Sequence, residues 1–263
     1  MWRLLLACLA LVLEPVLAAE AAPEPAAAKG LAIAQAADAA DQGWQDMQAD
    51  LSMVLRNAAG EQSRRELRIR LREIKDDGDQ SLITFQLPRD IAGTALLSYS
   101  HALTPDEQWL YLPALKRVKR IASANKSGPF VGSEFAYEDL TSMEAEKYAY
   151  RWLRDEDLAG RPAHVLEETP RYEHSGYARR LVWLDRERLQ PLKVEFHDRK
   201  DALLKTLAFE DYQQYLGRYW RAARMTMVNH QSGKSTELTW RGYAFGNGYT
   251  ARDFDQNSVA RER

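Results

Sequence analysis

The stretch LSMVLRNAAGEQSRRELRIRLR, residues 51–72, decides the fold class. In its first half, apolar Leu51, Met53 and Leu55 alternate with other residues, and over residues 67–72 leucine and isoleucine alternate with arginine. An alternation with period two is typical of a β-strand that buries one face. Because the turn-forming residues 57–60 separate the two halves, the stretch predicts a long antiparallel hairpin.

Similar short strands follow along the rest of the chain, and turn-forming residues separate them. The predicted strands are 80–87, 93–100, 108–112, 147–158, 163–168, 177–185, 191–197, 203–215, 220–229 and 235–243. Tight connections with almost no helix between strands favour one large antiparallel sheet over βαβ units. A sheet of about eleven strands curls because its strands twist. We therefore predict a mainly antiparallel β fold with few helices, strongly curved around an apolar concave face.

The first residues predict export from the cytoplasm. Residues 1–18 combine Arg3, an apolar run and a small-residue cleavage site at Ala18, which is typical of a secretory signal peptide. Residues 19–28 are rich in alanine and proline and predict a flexible lead-in. Apolar residues at helical spacing, from Ile33 to Trp44, then predict one amphipathic helix. We expect residues 29–263 to form a single domain.

Composition excludes several classes of function. The 263-residue chain has 36 Lys and Arg against 38 Asp and Glu, so its formal net charge of -2 gives no general attraction to nucleic acid. Cys8 is the only cysteine and falls in the predicted signal, which excludes disulfides and thiolate chemistry in the mature chain. Glu195 and His197 share one strand face, but two groups do not make a full metal-ligand set. We expect no metal, no cofactor and no nucleic-acid partner.

A basic run follows an aromatic strand in the middle of the chain. Trp109 and Tyr111 lead directly into residues 116–120, which contain four cations. Such a run suits an anionic lipid headgroup or an acidic partner, and it equally suits a sheet edge that charge protects from aggregation. The four cations are Lys116, Arg117, Lys119 and Arg120.

The segment 125–143 interrupts the strand pattern. It contains Gly128 and Gly132 together with Phe130, Phe135 and Tyr137, so it is too long for a hairpin turn and too apolar for a solvent loop. Glycines permit movement while aromatic rings bind apolar surfaces, which is typical of a lid over a cavity. The same residues also suit a fixed plug in the core, and the sequence leaves both interpretations open.

Three parts of this region carry a family resemblance. Residues 90–97 (DIAGTALL), 106–121 (DEQWLYLPALKRVKRI) and 130–140 (FVGSEFAYEDL) resemble the outer membrane lipoprotein-sorting proteins, the LolA-like group. The resemblance implies a half-open antiparallel β-barrel of the LolA/LolB type, whose helices cover an apolar interior that accepts acyl chains. It also implies the periplasm of a Gram-negative cell and an RND-type inner-membrane exporter as a partner.

These observations together predict a periplasmic carrier. It binds a lipid, or the acyl part of a lipoprotein, without covalent chemistry, moves it between the inner and outer membranes, and contacts the membrane surface transiently. The residues predicted to line or gate its cavity are Trp109, Tyr111, Phe130, Phe135, Tyr137 and Leu140. The basic run is predicted to meet headgroups or a partner.

Two other functions compete with this prediction. A non-transporting adaptor or sensor of an envelope complex would use the sheet as a binding surface and its interior only as core. A hydrolase would need an acid and a base together, or an activated serine, and the cluster Ser133, Glu134, Glu138 and Asp139 is its one candidate. The chain lacks the Gly-x-Ser-x-Gly nucleophile motif, so we expect no enzyme.

Overall fold

One antiparallel sheet dominates the part of the chain that the structure describes, residues 24–142 and 144–259 of a computed structural model. Its strands are β1 (Asp46–Arg56), β2 (Gln62–Arg72), β3 (Gln80–Leu87), β4 (Ala95–Tyr99), β5 (Glu107–Leu112), β6 (Arg117–Arg120), β7 (Tyr148–Leu158), β8 (Arg161–Pro170), β9 (Tyr177–Asp185), β10 (Pro191–Asp198), β11 (Leu203–Tyr215), β12 (Tyr219–Asn229) and β13 (Ser235–Phe245). The α-helices are α1 (Pro25–Ala40) and α2 (Gln256–Val259). Single 3₁₀ turns lie at Pro113–Leu115, Ser123–Asn125, Phe130–Gly132, Tyr137–Leu140, Ala145–Lys147 and Ala251–Phe254.

The strand order is β6-β5-β4-β3-β2-β1-β13-β12-β11-β10-β9-β8-β7, so β6 and β7 are the two edges. Among the described residues these edges do not pair with each other, and the curled sheet stays open. The predicted half-open, antiparallel barrel is confirmed. The sheet has thirteen strands where we predicted about eleven; twelve of the thirteen correspond to strands located in the sequence, and β6 is the one that the prediction lacked.

Alternation along each strand separates the two faces of the sheet. In β1, Ala49, Leu51 and Met53 point to the concave face, and they belong to a core cluster with residues of strands from both sides of the sheet. On the convex face, Phe254 and its neighbours in the C-terminal segment cover Leu97 and other residues of β3, β4 and β5. A second convex cluster surrounds Val165 and Trp183. Because successive side chains of a strand point to opposite faces, the curled sheet has an apolar lining inside and smaller apolar patches outside.

The helix α1 begins earlier than the sequence suggested. It starts at Pro25, so the last four residues of the predicted lead-in, 25–28, are helical. Proline suits the first helical position because its missing N–H has no helical partner there, and the alanines that follow favour helix. The helix ends at Ala40, and Trp44 therefore lies beyond it. The predicted signal peptide, 1–18, and residues 19–23 lie outside the described residues.

Gly30 fixes the position of α1 on the sheet edge. A Cβ atom at this position would lie 2.7 Å from the backbone nitrogen of Trp152 in β7, closer than any real side chain approaches. Lys29 places its Nζ 3.3 Å from the centre of a ring of Trp152. The helix therefore covers the backbone of the edge strand β7 at a distance that only glycine permits. No helix among the described residues has the length and apolar character that crossing a membrane requires.

Candidate functional site

A cavity of about 1130 Å³ lies between α1 and the concave face of the sheet. Small residues of the helix, such as Ala34 and Ala37, form one side of it. The loop between β2 and β3, and the turns that follow β9 and β11, surround its mouth. Apolar side chains of six strands form much of the opposite wall, namely Leu166, Val182, Val194, Phe209, Met225 and Tyr243.

The cavity occupies one half of the concave face, and side chains fill the other half. In β11, Phe209 and Tyr212 line the cavity, whereas Leu207 belongs to the core. In β12, Met225 lines the cavity, whereas Met227 is fully buried in the core. The boundary between the open cavity and the filled core therefore crosses β11 and β12 at neighbouring positions, between Phe209 and Leu207 and between Met225 and Met227.

Residues 126–142, here called the plug, fill that other half. Phe130 and Phe135 are buried in the core cluster of the sheet, and Tyr137 packs against it. The ring of Phe130 lies 5.6 Å from the ring of Phe85 and 5.7 Å from that of Tyr137, centre to centre. These apolar contacts agree with the plug interpretation of the segment.

Two acidic residues of the plug join it to the sheet through buried polar contacts. Asp139 accepts hydrogen bonds from Lys205 Nζ and from the Tyr177 hydroxyl, each at 2.7 Å. Glu138 accepts hydrogen bonds from the backbone N–H of Gly176 at 2.8 Å and from the Ser175 hydroxyl at 2.9 Å. The side chains of Lys205 and Asp139 are each only 5% exposed, so this ion pair is held inside the protein. Burial raises the pKa of Glu138 despite these hydrogen bonds.

The structure places the predicted cavity residues away from the wall of this cavity. Phe130 and Phe135 lie in the core, and Tyr137 and Leu140 pack against it. Trp109 and Tyr111 belong to the convex patch beneath the C-terminal segment. The physical reason is that large rings fill space: those of the plug fill one half of the concave face, and those of β5 point outwards. The four-residue cluster Ser133, Glu134, Glu138 and Asp139, considered for a hydrolase, serves to hold the plug.

The basic run forms the exposed edge of the sheet. Lys116 occupies the turn before β6, and all four residues of β6 are exposed. Arg120 pairs with Glu107 at 2.7 Å, and no carboxylate of the described residues lies within 4.0 Å of the other three cations of the run. Glu195, considered from the sequence together with His197 as a metal pair, forms an ion pair with Lys193 at 3.0 Å.

The C-terminal end of α1 is tied to β12 beside the cavity mouth. Asp41 accepts a hydrogen bond from Arg221 Nη1 at 2.6 Å, and the carbonyl oxygen of Gln42 accepts one from the Tyr219 hydroxyl at 3.2 Å. Burial raises the pKa of Asp41 although Arg221 is adjacent. These few contacts hold this end of the helix over the cavity.

Carboxyl groups are concentrated at the cavity mouth. Burial, together with the neighbouring Glu144, raises the pKa of Asp79 to about 8. Burial also raises the pKa of Asp38 on α1 and that of Glu144. In the sequence, Asp79 belongs only to the turn-forming residues between two predicted strands, because Glu144 and the other groups around it come from distant parts of the chain. A ligand in this cavity therefore meets an apolar wall and a mouth in which these carboxyl groups stand beside the cations Arg72, Lys75, Arg218 and Arg221.

Solved structures of the same architecture are similar to this chain over nearly all its length. A structure of an outer membrane lipoprotein-sorting protein domain from Vibrio parahaemolyticus has 54% sequence identity and a TM-score of 0.88, and covers 89% of this chain and 100% of its own. A DUF1329 family protein from Desulfovibrio piger has 26% identity and a TM-score of 0.84, with 89% and 99% covered. A LolA superfamily protein from Nitrosomonas europaea has 19% identity and a TM-score of 0.69, with 87% and 98% covered, and supports the fold.

A search of curated proteins gave no significant match. The sequence model of a family described as "Uncharacterized protein" matches residues 77–261. The identity to the Vibrio parahaemolyticus domain extends over all of that domain, and the fold matches that of the LolA superfamily protein. This chain therefore belongs to the LolA-like family of outer membrane lipoprotein-sorting proteins.

Proposed function

We propose that the protein is a periplasmic carrier that binds a lipid, or the acyl part of a lipoprotein, in the cavity beneath α1 and moves it between the inner and outer membranes. The observation that carries this proposal is the cavity of about 1130 Å³ with an apolar strand wall. Small-molecule pockets typically measure about 300–1,000 Å³, so this cavity has room for a long hydrocarbon chain. Burial of an acyl chain contributes about 0.8 kcal/mol per methylene, so no covalent step is needed.

The covering helix supports a binding cycle with an open and a closed state. The cavity side of α1 carries small residues, and its described contacts with the sheet lie mainly on β7 and at the Arg221–Asp41 pair. The C-terminal end of the helix, which is held by the few contacts of Ala39, Asp41 and Gln42, can move away from the cavity while Gly30 keeps the rest of the helix on β7. Release of cargo then requires only that a partner or a membrane favours the open state.

The site of action and the partners are part of the same proposal. The relative from Vibrio parahaemolyticus is described as an outer membrane lipoprotein-sorting protein domain, and residues 1–18 predict export. We propose an RND-type inner-membrane exporter as the donor of the cargo. The exposed basic run at β6 is proposed as a contact for anionic headgroups or for an acidic partner surface.

A matched pair of variants on one strand tests cargo binding. Met225 lines the cavity, and the next residue, Thr226, has its side chain on the other face of β12. We expect Met225→Lys to weaken binding of a fluorescent long-chain fatty acid about tenfold or more, since a charge in the wall opposes burial of roughly two or more methylenes. Thr226→Lys should bind like the original protein. Thermal unfolding of both variants reports whether the fold is intact.

Native mass spectrometry provides the second test. Protein purified from the periplasm is expected to carry a lipid, which solvent extraction then identifies. Cargo-free protein, together with equal fatty-acid affinity for Met225→Lys and Thr226→Lys, would contradict the carrier and favour an adaptor whose interior is only core.

A further inference from the structure

The turn between β11 and β12 presents an exposed leucine in an unfavourable backbone conformation. Leu216 has φ of 51° and its side chain is 68% exposed. The left-handed region favours glycine or asparagine, and a branched side chain there costs free energy. A leucine at this position loses backbone energy and gains no burial within the protein. Such a combination indicates a function outside the fold itself.

A rigid aromatic base supports this turn. The ring of Tyr215 lies 4.9 Å from the ring of Tyr243 and 5.7 Å from that of Phe245, centre to centre. On the other strand, the ring of Tyr219 stacks on Phe245 at 6.3 Å. Tyrosine is enriched where membrane proteins meet the boundary between lipid and water, and Tyr215 directly precedes the exposed leucine. The turn is therefore held in place by its own strands.

The turn lies directly at the mouth of the cavity. Arg218 and Trp220, which follow Leu216, line that mouth, and Arg218 donates a hydrogen bond to the carbonyl oxygen of Ala39 on α1 at 3.3 Å. The neighbouring turn, between β9 and β10, contains a second left-handed leucine, Leu189, with φ of 54°, which also lines the cavity. A surface that binds the Leu216 turn would thus face the cavity opening and the end of the covering helix.

The charges at this end of the barrel favour one kind of surface. The mouth carries both signs of charge, because Asp38, Asp41 and Glu144 line it together with Lys75, Arg218 and Arg221. Such a mouth suits headgroups that themselves carry one positive and one negative charge. The exposed cations of the basic run begin at the turn between β5 and β6, which is at the opposite end of the barrel. A zwitterionic bilayer, which offers apolar depth without net charge, fits the leucine and this mouth of mixed charge together.

We propose that the Leu216 turn inserts into the surface of a zwitterionic bilayer and brings the cavity mouth against the lipid. This inference rests on the proposed carrier function and specifies how cargo passes between membrane and cavity. The interaction depends on burial of an apolar side chain, so it is expected to change little with salt concentration.

Flotation with vesicles of phosphatidylcholine and phosphatidylethanolamine tests this surface. We expect the original protein to bind and Leu216→Asn to bind at least about tenfold more weakly, since a leucine side chain contributes most of the burial at the turn. Asparagine tolerates the left-handed conformation, so thermal stability should be unchanged or higher. Leu216→Trp should keep binding, and its fluorescence should shift to the blue on vesicles.

The matched control is Leu115→Asn. Leu115 is 62% exposed in the turn before β6, at the other end of the barrel, and its loss should leave vesicle binding unchanged. Three results would overturn the proposal: equal binding by Leu216→Asn and the original protein, an equal loss with Leu115→Asn, or binding only to anionic vesicles that salt abolishes. The last result would assign docking to the basic run. Fatty-acid binding without vesicles is read separately, because Leu216→Asn should retain it if the carrier proposal holds.

Discussion

Replacement of Asp79 by asparagine is expected to stabilise the protein in a manner that depends on pH. Burial and the neighbouring carboxyl of Glu144 raise the pKa of Asp79 from 3.8 to about 8. A carboxyl whose pKa is higher in the folded state than in the unfolded state stabilises the folded state when it is protonated. This contribution is complete at a pH below the pKa of the unfolded state, and it is lost as the pH rises to the pKa of the folded state. The pH range of the effect is therefore about 4 to 8, and Asp79→Asn removes it because the amide does not ionise.

The magnitude follows from the same pKa values. One pKa unit corresponds to about 1.4 kcal/mol. At pH 7 the Asp79 carboxyl is ionised in the unfolded state and mostly neutral in the folded state. Ionisation therefore stabilises the unfolded state by up to about 4 kcal/mol, which a side chain that cannot ionise would not do. The amide must also fit beside Glu144, which reduces the gain. We expect Asp79→Asn to raise the free energy of unfolding by about 1–4 kcal/mol at pH 7 and to leave it unchanged near pH 3.5.

Urea unfolding at pH 3.5, 5, 7 and 9 measures this effect. Asp46→Asn is the matched control: burial raises the pKa of Asp46, but hydrogen bonds from Asn247, Gly248 and Tyr249 outweigh burial and lower it. That variant should lose stability at neutral pH, because the native carboxylate is favoured above its unfolded pKa. A gain for Asp79→Asn that is the same at every pH would refute the reasoning, since it would show that ionisation is not the cause.

Two further substitutions test the plug and the covering helix. Asp139→Ala leaves Lys205 as a buried charge without its carboxylate, and we expect the free energy of unfolding in urea to fall by about 3–5 kcal/mol. The double variant Asp139→Leu with Lys205→Met should recover most of this loss. Equal free energies of unfolding for the single and the double variant would contradict the role of the ion pair. Gly30→Leu should separate α1 from β7 and increase hydrogen exchange in the helix, whereas Ala32→Leu, on the exposed side of α1, should not.

The sheet was largely predictable because its signals are local. The predicted strands 80–87, 177–185 and 203–215 match Gln80–Leu87, Tyr177–Asp185 and Leu203–Tyr215 in the structure. Each has alternating apolar residues and turn residues at both ends, which need no knowledge of distant partners. The strand β6 was missed because all of its residues are exposed, so its pattern carries no apolar alternation.

The cavity was predictable as an apolar concave face, but its location was not. Which half of that face stays open depends on where the plug lies, and Lys205, Tyr177 and Gly176 fix this position through contacts with residues far away in sequence. Aromatic content drew attention to Phe130 and Phe135, which fill space. The wall of the cavity instead uses side chains such as Val194 and Met225, whose pattern in sequence is the same as that of core residues.

The plug has a consequence for how such proteins diverge. The same strands extend under both the plug and the cavity. The length of the cavity is therefore set by the plug and not by the sheet. A shorter plug would uncover Leu207 and Met227 and lengthen the cavity, whereas a longer plug would shorten the cavity. If the proposed carrier function holds, changes in the length of this single segment would change the length of hydrocarbon that the cavity accepts, while the strands keep their register.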